Sequence, residues 1–383
     1  MKAIRMLAVL TALILIFTAC TDGATDVTEA TLDDGATETT APPDDGATVT
    51  TAPPDDGAEA GESLLDAVAE RGTLICGVND VVPGFGFQDA DGNFSGFDVD
   101  FCKAIAAAVL DDPEAVEYIP LTAQTRFTAL QAGEVDILIR NTTFTSSRDG
   151  TEAGTFLTTT FYDGQGMMVR TDSGFTAIED MTDTNVCVLS GTTTELNLAT
   201  RFGDIPYTPL TFEDNEQLQA AFISGQCDGW TSDKSQLAAV KSAFPDAEGG
   251  PDSLVILDET FSKEPLGPVV LDGDQRWAQA TDWVVKVIIL AEELGVDSAS
   301  AANYEGDDAD IRRLLGLPGG EDEAIFDPGL GLPTDFAQKV LVAVGNYAEI
   351  YDRNLGPDTS INIERGLNSQ YYDGGVLYAH PYR

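Results

Sequence analysis

Three groups of polar residues in the middle of the chain could together hold a small molecule that carries both a carboxylate and an ammonium group. Arg148 follows a polar loop, and its planar guanidinium could bind a carboxylate through two parallel hydrogen bonds. Thr192 and Thr193 lie where a predicted strand turns into a helix, and backbone N–H groups at such a helix start form an anion site. Asp233 could pair with the ammonium group.

Each of these groups also has a purely structural interpretation. Arg148 could be an ordinary surface arginine, and Thr192 with Glu195 fits the capping box of a helix. Asp233 could cap the helix that begins near Lys234, and its two carboxylate oxygens could serve both roles. These alternatives stay open on local sequence, and a shared location for the three groups would favour binding.

Two aromatic residues, Phe85 and Phe87, follow the first predicted strand in a glycine-rich segment. They could form an apolar wall around the variable part of a ligand. They could equally belong to the core, where large apolar side chains usually lie. Both are kept as candidates for the wall of the site.

Alternating strands and helices must position these residues. The predicted elements are strands at 74–78, 117–121, 135–139 and 185–189, with helices at 97–110, at 125–132, from 192 and from 215. Such alternation favours an α/β fold in which mostly parallel sheets are covered by helices.

The two halves of this pattern share a spacing. In the first half, a glycine follows an alanine by four residues and Asp136 follows that glycine by three. The same spacing of alanine, glycine and aspartate recurs in the second half and ends at Asp228. Together with about 320 residues outside the N-terminal region, this repeat indicates two lobes of similar construction. Ligands of open α/β sheets bind beyond the carboxyl ends of strands, so Asn141 and Asp233, five residues past each aspartate, should face one cleft.

The composition excludes several classes of protein. A formal net charge of −45 excludes a nucleic-acid binder, because phosphate contacts need clustered lysine and arginine. We interpret the acidic excess as a solvated surface. The single histidine, His380, and the lack of any Cys-x-x-Cys pair argue against a zinc site, and no cofactor is expected.

The N-terminal region predicts export and attachment to a membrane. A basic start and the apolar stretch 6–19 are typical of a secretory signal, so residues 1–19 are predicted to be a signal peptide. Cys20 then resembles a lipidated first residue of the mature chain, although a plain cleaved signal with an incidental cysteine is the alternative. Residues 20–63 predict a disordered acidic linker, because the segment is rich in Thr, Ala, Pro and Gly and has no basic or aromatic residue.

Short motifs are distributed over residues 64–383. They are GNFSGFDVD from Gly92, ALQAGEVD from Ala129, RNTT from Arg140, YDGQG from Tyr162, GTTTELN from Gly191, SKEPLGP from Ser262, VGNY from Val344 and RGLN from Arg365. With Arg148, these motifs resemble those of the bacterial extracellular solute-binding proteins, family 3. Within it, the chain is similar to the general L-amino-acid-binding subunits of ABC importers.

The resemblance implies roles for the candidate residues. Arg148 and the turn at Thr192 and Thr193 would hold the α-carboxylate of a free L-amino acid, and Asp233 would hold its α-ammonium group. Five further residues would line the site or set a broad specificity: Asn141, Thr143, Gln165, Phe85 and Phe87.

The resemblance also implies the architecture and the partners. It predicts a two-lobed periplasmic-binding-protein-like fold of type II, with a discontinuous first lobe at 64–170 and 259–383 and a second lobe at 171–258. Two crossovers, near 166–169 and 267–270, would let the lobes close on the ligand. The expected partners are free L-amino acids, an ABC permease and, through the lipid anchor, a membrane, with the chain monomeric on the outer face of the cell membrane or in the periplasm.

Four cysteines remain beside Cys20, an even count that fits disulfides in an exported protein. If Cys76 pairs with Cys102 and Cys187 pairs with Cys227, neither bond crosses the hinge between the lobes implied above, and we expect this pairing.

An enzyme on the same fold is the alternative from another class, but one histidine argues against a Ser-His-Asp triad. A sensory receptor is a third possibility, for which no membrane or kinase segment follows Arg383.

Overall fold

The computed structural model describes residues 63–320 and 323–383. The predicted signal peptide, Cys20 and nearly all of the predicted linker lie outside the described residues. Within the described ranges, no helix has the length and apolar character needed to cross a membrane.

Strands and helices alternate through the first two thirds of the described chain, as the pattern predicts. The strands are β1 (Leu74–Val78), β2 (Val81–Val82), β3 (Gly86–Gln88), β4 (Phe94–Ser95), β5 (Val116–Pro120), β6 (Ile137–Leu138), β7 (Gly154–Phe156), β8 (Phe161–Asp163), β9 (Gln165–Arg170), β10 (Thr184–Leu189), β11 (Tyr207–Phe212), β12 (Gly229–Asp233), β13 (Leu254–Ile256), β14 (Glu264–Leu266) and β15 (Val269–Leu271). The helices are α1 (Leu64–Arg71), α2 (Phe97–Leu110), α3 (Arg126–Gln131), α4 (Ser146–Thr151), α5 (Thr193–Phe202), α6 (Asn215–Ile223), α7 (Lys234–Ser242), α8 (Gln275–Glu293), α9 (Ser298–Ala302), α10 (Ala309–Leu314), α11 (Phe336–Val344) and α12 (Tyr347–Asn354).

Two five-stranded sheets share one plan, and each forms the centre of a lobe. The first sheet has the order β5-β1-β6-β15-β7, and the second has the order β11-β10-β12-β9-β13. In both, the first three strands are parallel and the last two join by antiparallel pairing. We call the parts built on these sheets the first and the second lobe.

The passages between the lobes lie a few residues earlier than the crossovers expected at 166–169 and 267–270. Strand β9 pairs with β12 and β13, so the second lobe begins at Gln165 and not at residue 171. Before it, β8 pairs with β14 in a two-stranded ribbon, and β15 already belongs to the first sheet. The sequence pattern predicts none of these strands, and the pairing partner of each strand decides its lobe.

Burial on both faces explains the apolar strands of the second sheet. Met168, Cys187 and Trp230 point to one core, whereas Met167 and Val186 point to the other. Successive side chains of a strand alternate between faces, so helices must cover both sides of the sheet. The first lobe is larger, and α8 and α11 pack with α2 in its core.

A glycine within the motif from Gly92 sets the local backbone at the start of α2. Gly96 begins α2 with a φ of +132°, and a Cβ at this position would lie 2.2 Å from the carbonyl oxygen of Phe85. Only glycine adopts this backbone region without strain. The close approach holds the start of α2 against the segment after β1, and so fixes Asp98 two residues later.

The four described cysteines form the two expected disulfides. Cys76 in β1 is bonded to Cys102 in α2, and Cys187 in β10 is bonded to Cys227 just before β12. Each bond therefore joins elements of one lobe, and neither restricts a motion between the lobes.

Candidate ligand-binding site

A narrow polar cavity lies where the carboxyl ends of strands from the two sheets meet. Its lining residues are Ala123, Arg126, Arg140, Asn141, Thr143, Arg148, Leu189, Thr192, Thr193, Thr194, Ser232, Asp233 and Gln236. We call it the inner cavity. Its volume is about 20 Å³, which is room for little more than one water molecule. Both lobes contribute, as the position of ligands at strand ends predicts.

Arg148 is buried and not a surface residue, since only 9% of it is exposed. It lies in α4, whose cap Thr145 accepts a hydrogen bond from the Arg148 backbone. Its guanidinium donates to the carbonyl oxygen of Thr143 at 3.0 Å and, across the cleft, to that of Gly191 at 3.5 Å. Burial lowers the pKa of Arg148, and the nearby carboxylates of Asp233 and Glu264 oppose that effect.

The turn before α5 caps its helix and lines the cavity at the same time. The Thr192 hydroxyl accepts from the backbone N–H of Glu195 at 3.1 Å, which is the first half of the predicted capping box. The return bond differs, because the Glu195 carboxylate accepts from the N–H of Gly191 at 2.9 Å. The Thr193 hydroxyl donates to Glu264 at 2.7 Å and lies 3.4 Å from the Thr143 hydroxyl of the other lobe.

Asp233 ends β12 and occupies the N-cap position of α7, but its side chain makes no capping bond. It is only 6% exposed, and its carboxylate accepts no hydrogen bond from the described residues. Burial raises the pKa of Asp233 well above its usual value, and the neighbouring carboxylates of Asp163 and Glu264 add to this, whereas Arg126 and Arg148 oppose it. A cationic donor from a ligand would offset the cost of burying the charged Asp233 carboxylate.

Asn141 joins the two lobes at the other side of the cavity. Its backbone N–H donates to the buried carboxylate of Asp98 at 2.8 Å, and its side-chain amide donates to Gln236 of the second lobe at 3.3 Å. Its φ of +30° is in a region that asparagine tolerates better than most residues. Asp98, from the motif at the start of α2, therefore holds the strand end that presents Asn141.

Phe85, Phe87 and Gln165 do not line the inner cavity. Phe85 lies in the core of the first lobe, with its ring 5.3 Å from that of Phe161, so the core alternative describes it. Phe87 is 38% exposed on β3, away from the cavity lining. Gln165 is fully buried, and its amide donates to the carbonyl of Thr194 and to the Thr231 hydroxyl, both at 2.9 Å. Gln165 therefore holds the start of α5 in place through the carbonyl of Thr194, without lining the cavity.

Two arginines that were not among the expected site residues line the same cavity. Arg126 in α3 is 3% exposed, and its Nε has no hydrogen-bond partner among the described residues. Arg140 is 5% exposed and donates from its Nε to the carbonyl of Leu121 at 2.6 Å. Arg140 directly precedes Asn141 at a strand end, a signal that could have selected it. Nothing in the local sequence shows which face of α3 Arg126 occupies.

The described residues contain no group of three or more histidine, cysteine, aspartate and glutamate side chains able to hold a metal ion. Fold and cavity together define a two-lobed α/β binding protein with a polar site between its lobes. Residues 74–315 match the bacterial extracellular solute-binding proteins, family 3, and the chain belongs to this family. Proteins of this family bind solutes and are not enzymes.

Relatives support the same class along most of the chain. The chain is 45% identical over 328 residues to the glutamate/glutamine/aspartate/asparagine-binding protein BztA of Rhodobacter capsulatus, covering 85% of this chain and 94% of the relative. It is 43% identical over 327 residues to the general L-amino acid-binding periplasmic protein AapJ of Rhizobium johnstonii, covering 85% and 94%.

A solved structure shows the fold. The ABC transporter periplasmic binding protein of Brucella ovis with glutathione bound has a TM-score of 0.80 and 42% identity, covering 84% of this chain and 100% of that chain. The expected two-lobed fold of type II is confirmed.

The pKa of Asp98 provides a test of how the site is held. Burial raises this pKa to about 7, although the hydrogen bond from Asn141 and the charge of Arg140 oppose the rise. Folded Asp98 therefore keeps a proton at pH 5 that the unfolded chain has lost, so its contribution to stability declines as pH rises towards 7. Asp98→Asn removes this dependence while an amide oxygen can still accept from Asn141. From pH 5 to pH 8 the unfolding free energy of the wild type should fall relative to the variant by about 2–3 kcal/mol.

Denaturant titrations at several pH values measure this difference. Asp89→Asn is the matched control, because hydrogen bonds from Asn93 lower the pKa of exposed Asp89, which is then ionised in both states throughout the range. A difference between wild type and Asp98→Asn that stays constant with pH would show that Asp98 is ionised in the folded protein.

Proposed function

We propose that this protein captures free L-amino acids between its two lobes and delivers them to an ABC permease. The observation that carries the proposal is the division of charge in the inner cavity. Arg148 and the start of α5 present donors for a carboxylate, and Asp233 presents to an ammonium group a carboxylate that has no hydrogen-bond partner among the described residues. These are the two groups that every free amino acid shares.

The carboxylate would be held from both lobes at once. Arg148 comes from the first lobe and the N–H groups at the start of α5 from the second, where the helix dipole adds a partial positive charge. A ligand bound to both stabilises the closed arrangement of the lobes, because it contacts both only in that arrangement.

Direct contacts between the lobes already span the cleft. Arg148 reaches Gly191, Asn141 reaches Gln236, and the hydroxyls of Thr143 and Thr193 are 3.4 Å apart. An amino acid is larger than the inner cavity, so the lobes must separate to admit it. We infer that a ligand then replaces some of these contacts with its own.

The relatives support this class of ligand. One is named for glutamate, glutamine, aspartate and asparagine, another for L-amino acids in general, and the Brucella ovis structure contains glutathione. All of these ligands contain an α-amino-acid group. Phe85 and Phe87 do not line the inner cavity, so we assign them no part in specificity.

We further propose that the chain is exported, monomeric and anchored by a lipid on Cys20, with residues 20–63 as a spacer. The family is extracellular by description, and relatives are periplasmic by name. The spacer would let the folded lobes reach a permease while the anchor retains them at the outer face of the cell membrane.

Arg148→Gln tests the carboxylate contact. It should weaken binding of every amino acid by about 100-fold or more, because it removes a buried charge-assisted pair worth about 3 kcal/mol or more. A thermal-shift screen of the full chain against the twenty amino acids, followed by calorimetry, measures this. Arg353→Gln is the control, since Arg353 pairs with Asp100 outside the cavity. Wild-type affinity in Arg148→Gln would disprove its assigned role, and a wild type that no amino acid stabilises would disprove the function.

Asp233→Asn tests the ammonium contact. Affinity for L-alanine should fall about tenfold or more, because the variant loses an ionic partner of the ammonium group. The affinity for L-lactate, which has a hydroxyl in place of the ammonium group, should fall much less. Calorimetric titration of both ligands gives the comparison, and equal losses for the two would show that Asp233 acts only through the fold.

Cys20→Ser tests the anchor. The variant should move from the membrane pellet to the soluble extracytoplasmic fraction when cells are fractionated, because serine cannot accept the thioether-linked lipid. Thr18→Ser keeps the cysteine and should stay in the pellet. A wild-type chain found only in the soluble fraction would rule out lipidation.

A further inference from the structure

The inner cavity holds more positive charge than a neutral zwitterion needs. Four of its lining residues are ionisable, namely Arg126, Arg140, Arg148 and Asp233. Three of them are cations, and none of these three forms an ion pair with a carboxylate of the described residues. A ligand with one carboxylate and one ammonium group adds no net charge and leaves this excess in place.

Nearby acids are engaged elsewhere. Glu264 accepts from Thr193 and from Asn197, and Asp163 accepts from the backbone of Gly164 and Ser235. Both raise the pKa of Asp233, and Glu264 also opposes the decrease in the pKa of Arg148. Asp98 and Asp80 act in the same way on Arg140, but Asp98 already accepts a hydrogen bond from the backbone N–H of Asn141.

Arg126 is the least compensated of these arginines. It is nearly fully buried, and its Nε has no partner among the described residues. Burial lowers its pKa well below the usual value, and repulsion from Arg148 and Arg140 adds to the decrease. An arginine stays protonated in proteins, so the buried cations are stabilised when an anion enters.

Arg140 lies at the junction of two cavities. Besides the inner cavity, it lines a larger one of about 350 Å³ that shares Ala123 and Leu189 with it. Only its Nε has a hydrogen-bond partner among the described residues, so its two terminal nitrogens remain available to a ligand. A group that extends from the inner cavity towards the larger one would lie beside Arg140, since this residue lines both.

We propose that Arg126 and Arg140 form a second carboxylate subsite, which favours ligands with two carboxylates and one ammonium group over ligands with one carboxylate. The proposal rests on the amino-acid binding proposed above. Arg148 and the start of α5 hold the α-carboxylate, and the second carboxylate is held at the junction of the cavities. Two sources have this chemistry, namely free dicarboxylic L-amino acids and γ-glutamyl peptides such as glutathione.

Calorimetric titration of the full chain with two matched pairs tests the subsite. L-glutamate and L-glutamine have nearly the same shape and differ by one carboxylate charge, as do L-aspartate and L-asparagine. The wild type should bind the acidic member of each pair about tenfold or more tightly, which is the usual effect of one buried charge-assisted contact. In Arg140→Gln and in Arg126→Gln the ratio of the two affinities should fall to about threefold or less.

The ratio separates selectivity from general damage, because a misfolded site loses both members of a pair together. Arg126→Gln covers the case in which Arg140→Gln fails to fold. Arg353→Gln removes a positive charge outside both cavities and should keep the wild-type ratio. Titration with glutathione identifies the source of the second carboxylate. If glutathione binds more tightly than glutamate and Arg140→Gln abolishes this advantage, the ligand is a γ-glutamyl peptide. If glutathione binds more weakly than glutamate, the ligand is the free amino acid.

Three results would overturn the subsite. Equal binding of glutamate and glutamine by the wild type would do so, as would an unchanged ratio in both arginine variants. Preferred binding of L-lysine would show that the acidic residues of the larger cavity decide the selection instead. In all three cases amino acids still bind, so the proposed function would stand. Failure of the wild type to bind any amino acid would instead remove the proposed function itself.

Discussion

Buried arginines beside a single lining carboxylate are the constraint on which this cleft depends. Burial of an unpaired charge costs several kcal/mol, so a site that keeps Arg126, Arg140 and Arg148 together is not optimised for stability alone. The surrounding backbone compensates in part, through the carbonyl oxygens of Leu121, Thr143 and Gly191. Such oxygens carry only partial charges. In the proposed function, the remaining demand for an anion would give the cleft its affinity and would make lobe closure and ligand binding one event.

Residues behind the cavity hold its lining in place through specific contacts. Asp98 holds the backbone of Asn141, and Gly96 lets α2 begin close enough to place Asp98 there. In the second lobe, Gln165 fixes the turn before α5 through the carbonyl of Thr194. These residues belong to sequence motifs far from one another, and each orients a residue of the cavity lining without lining the cavity itself. A rigid frame of this kind would keep the donors in place during the lobe separation proposed above.

Residue type and strand order were enough to predict part of this site. Arg148, the Thr192 turn, Asn141 and Asp233 follow strands whose carboxyl ends converge, and the shared spacing before Asp136 and Asp228 is sufficient to find two of them. Phe85 and Gln165 failed as lining residues because the sequence places them near strands but does not show which way a side chain points. Arg126 was missed for the same reason, since its helix face is decided by packing against the first sheet. The crossovers were misplaced because pairing partners, not strand positions, assign β9 and β15 to their sheets.

The rest of the molecule is strongly acidic, so the position of the buried arginines determines where a carboxylate can be attracted. The chain has a formal net charge of −45, and the larger cavity beside the site is lined by Asp80, Glu213, Asp214 and Glu216. An approaching carboxylate is therefore repelled at long range, but salt screens this repulsion beyond about 8–10 Å. Inside the cleft, three cations act at short range and in a medium of lower dielectric constant, where each interaction is much stronger. If the proposed subsite selects an anionic ligand, the selection must therefore reside in the bound state, with the surface field slowing association and the buried arginines slowing release.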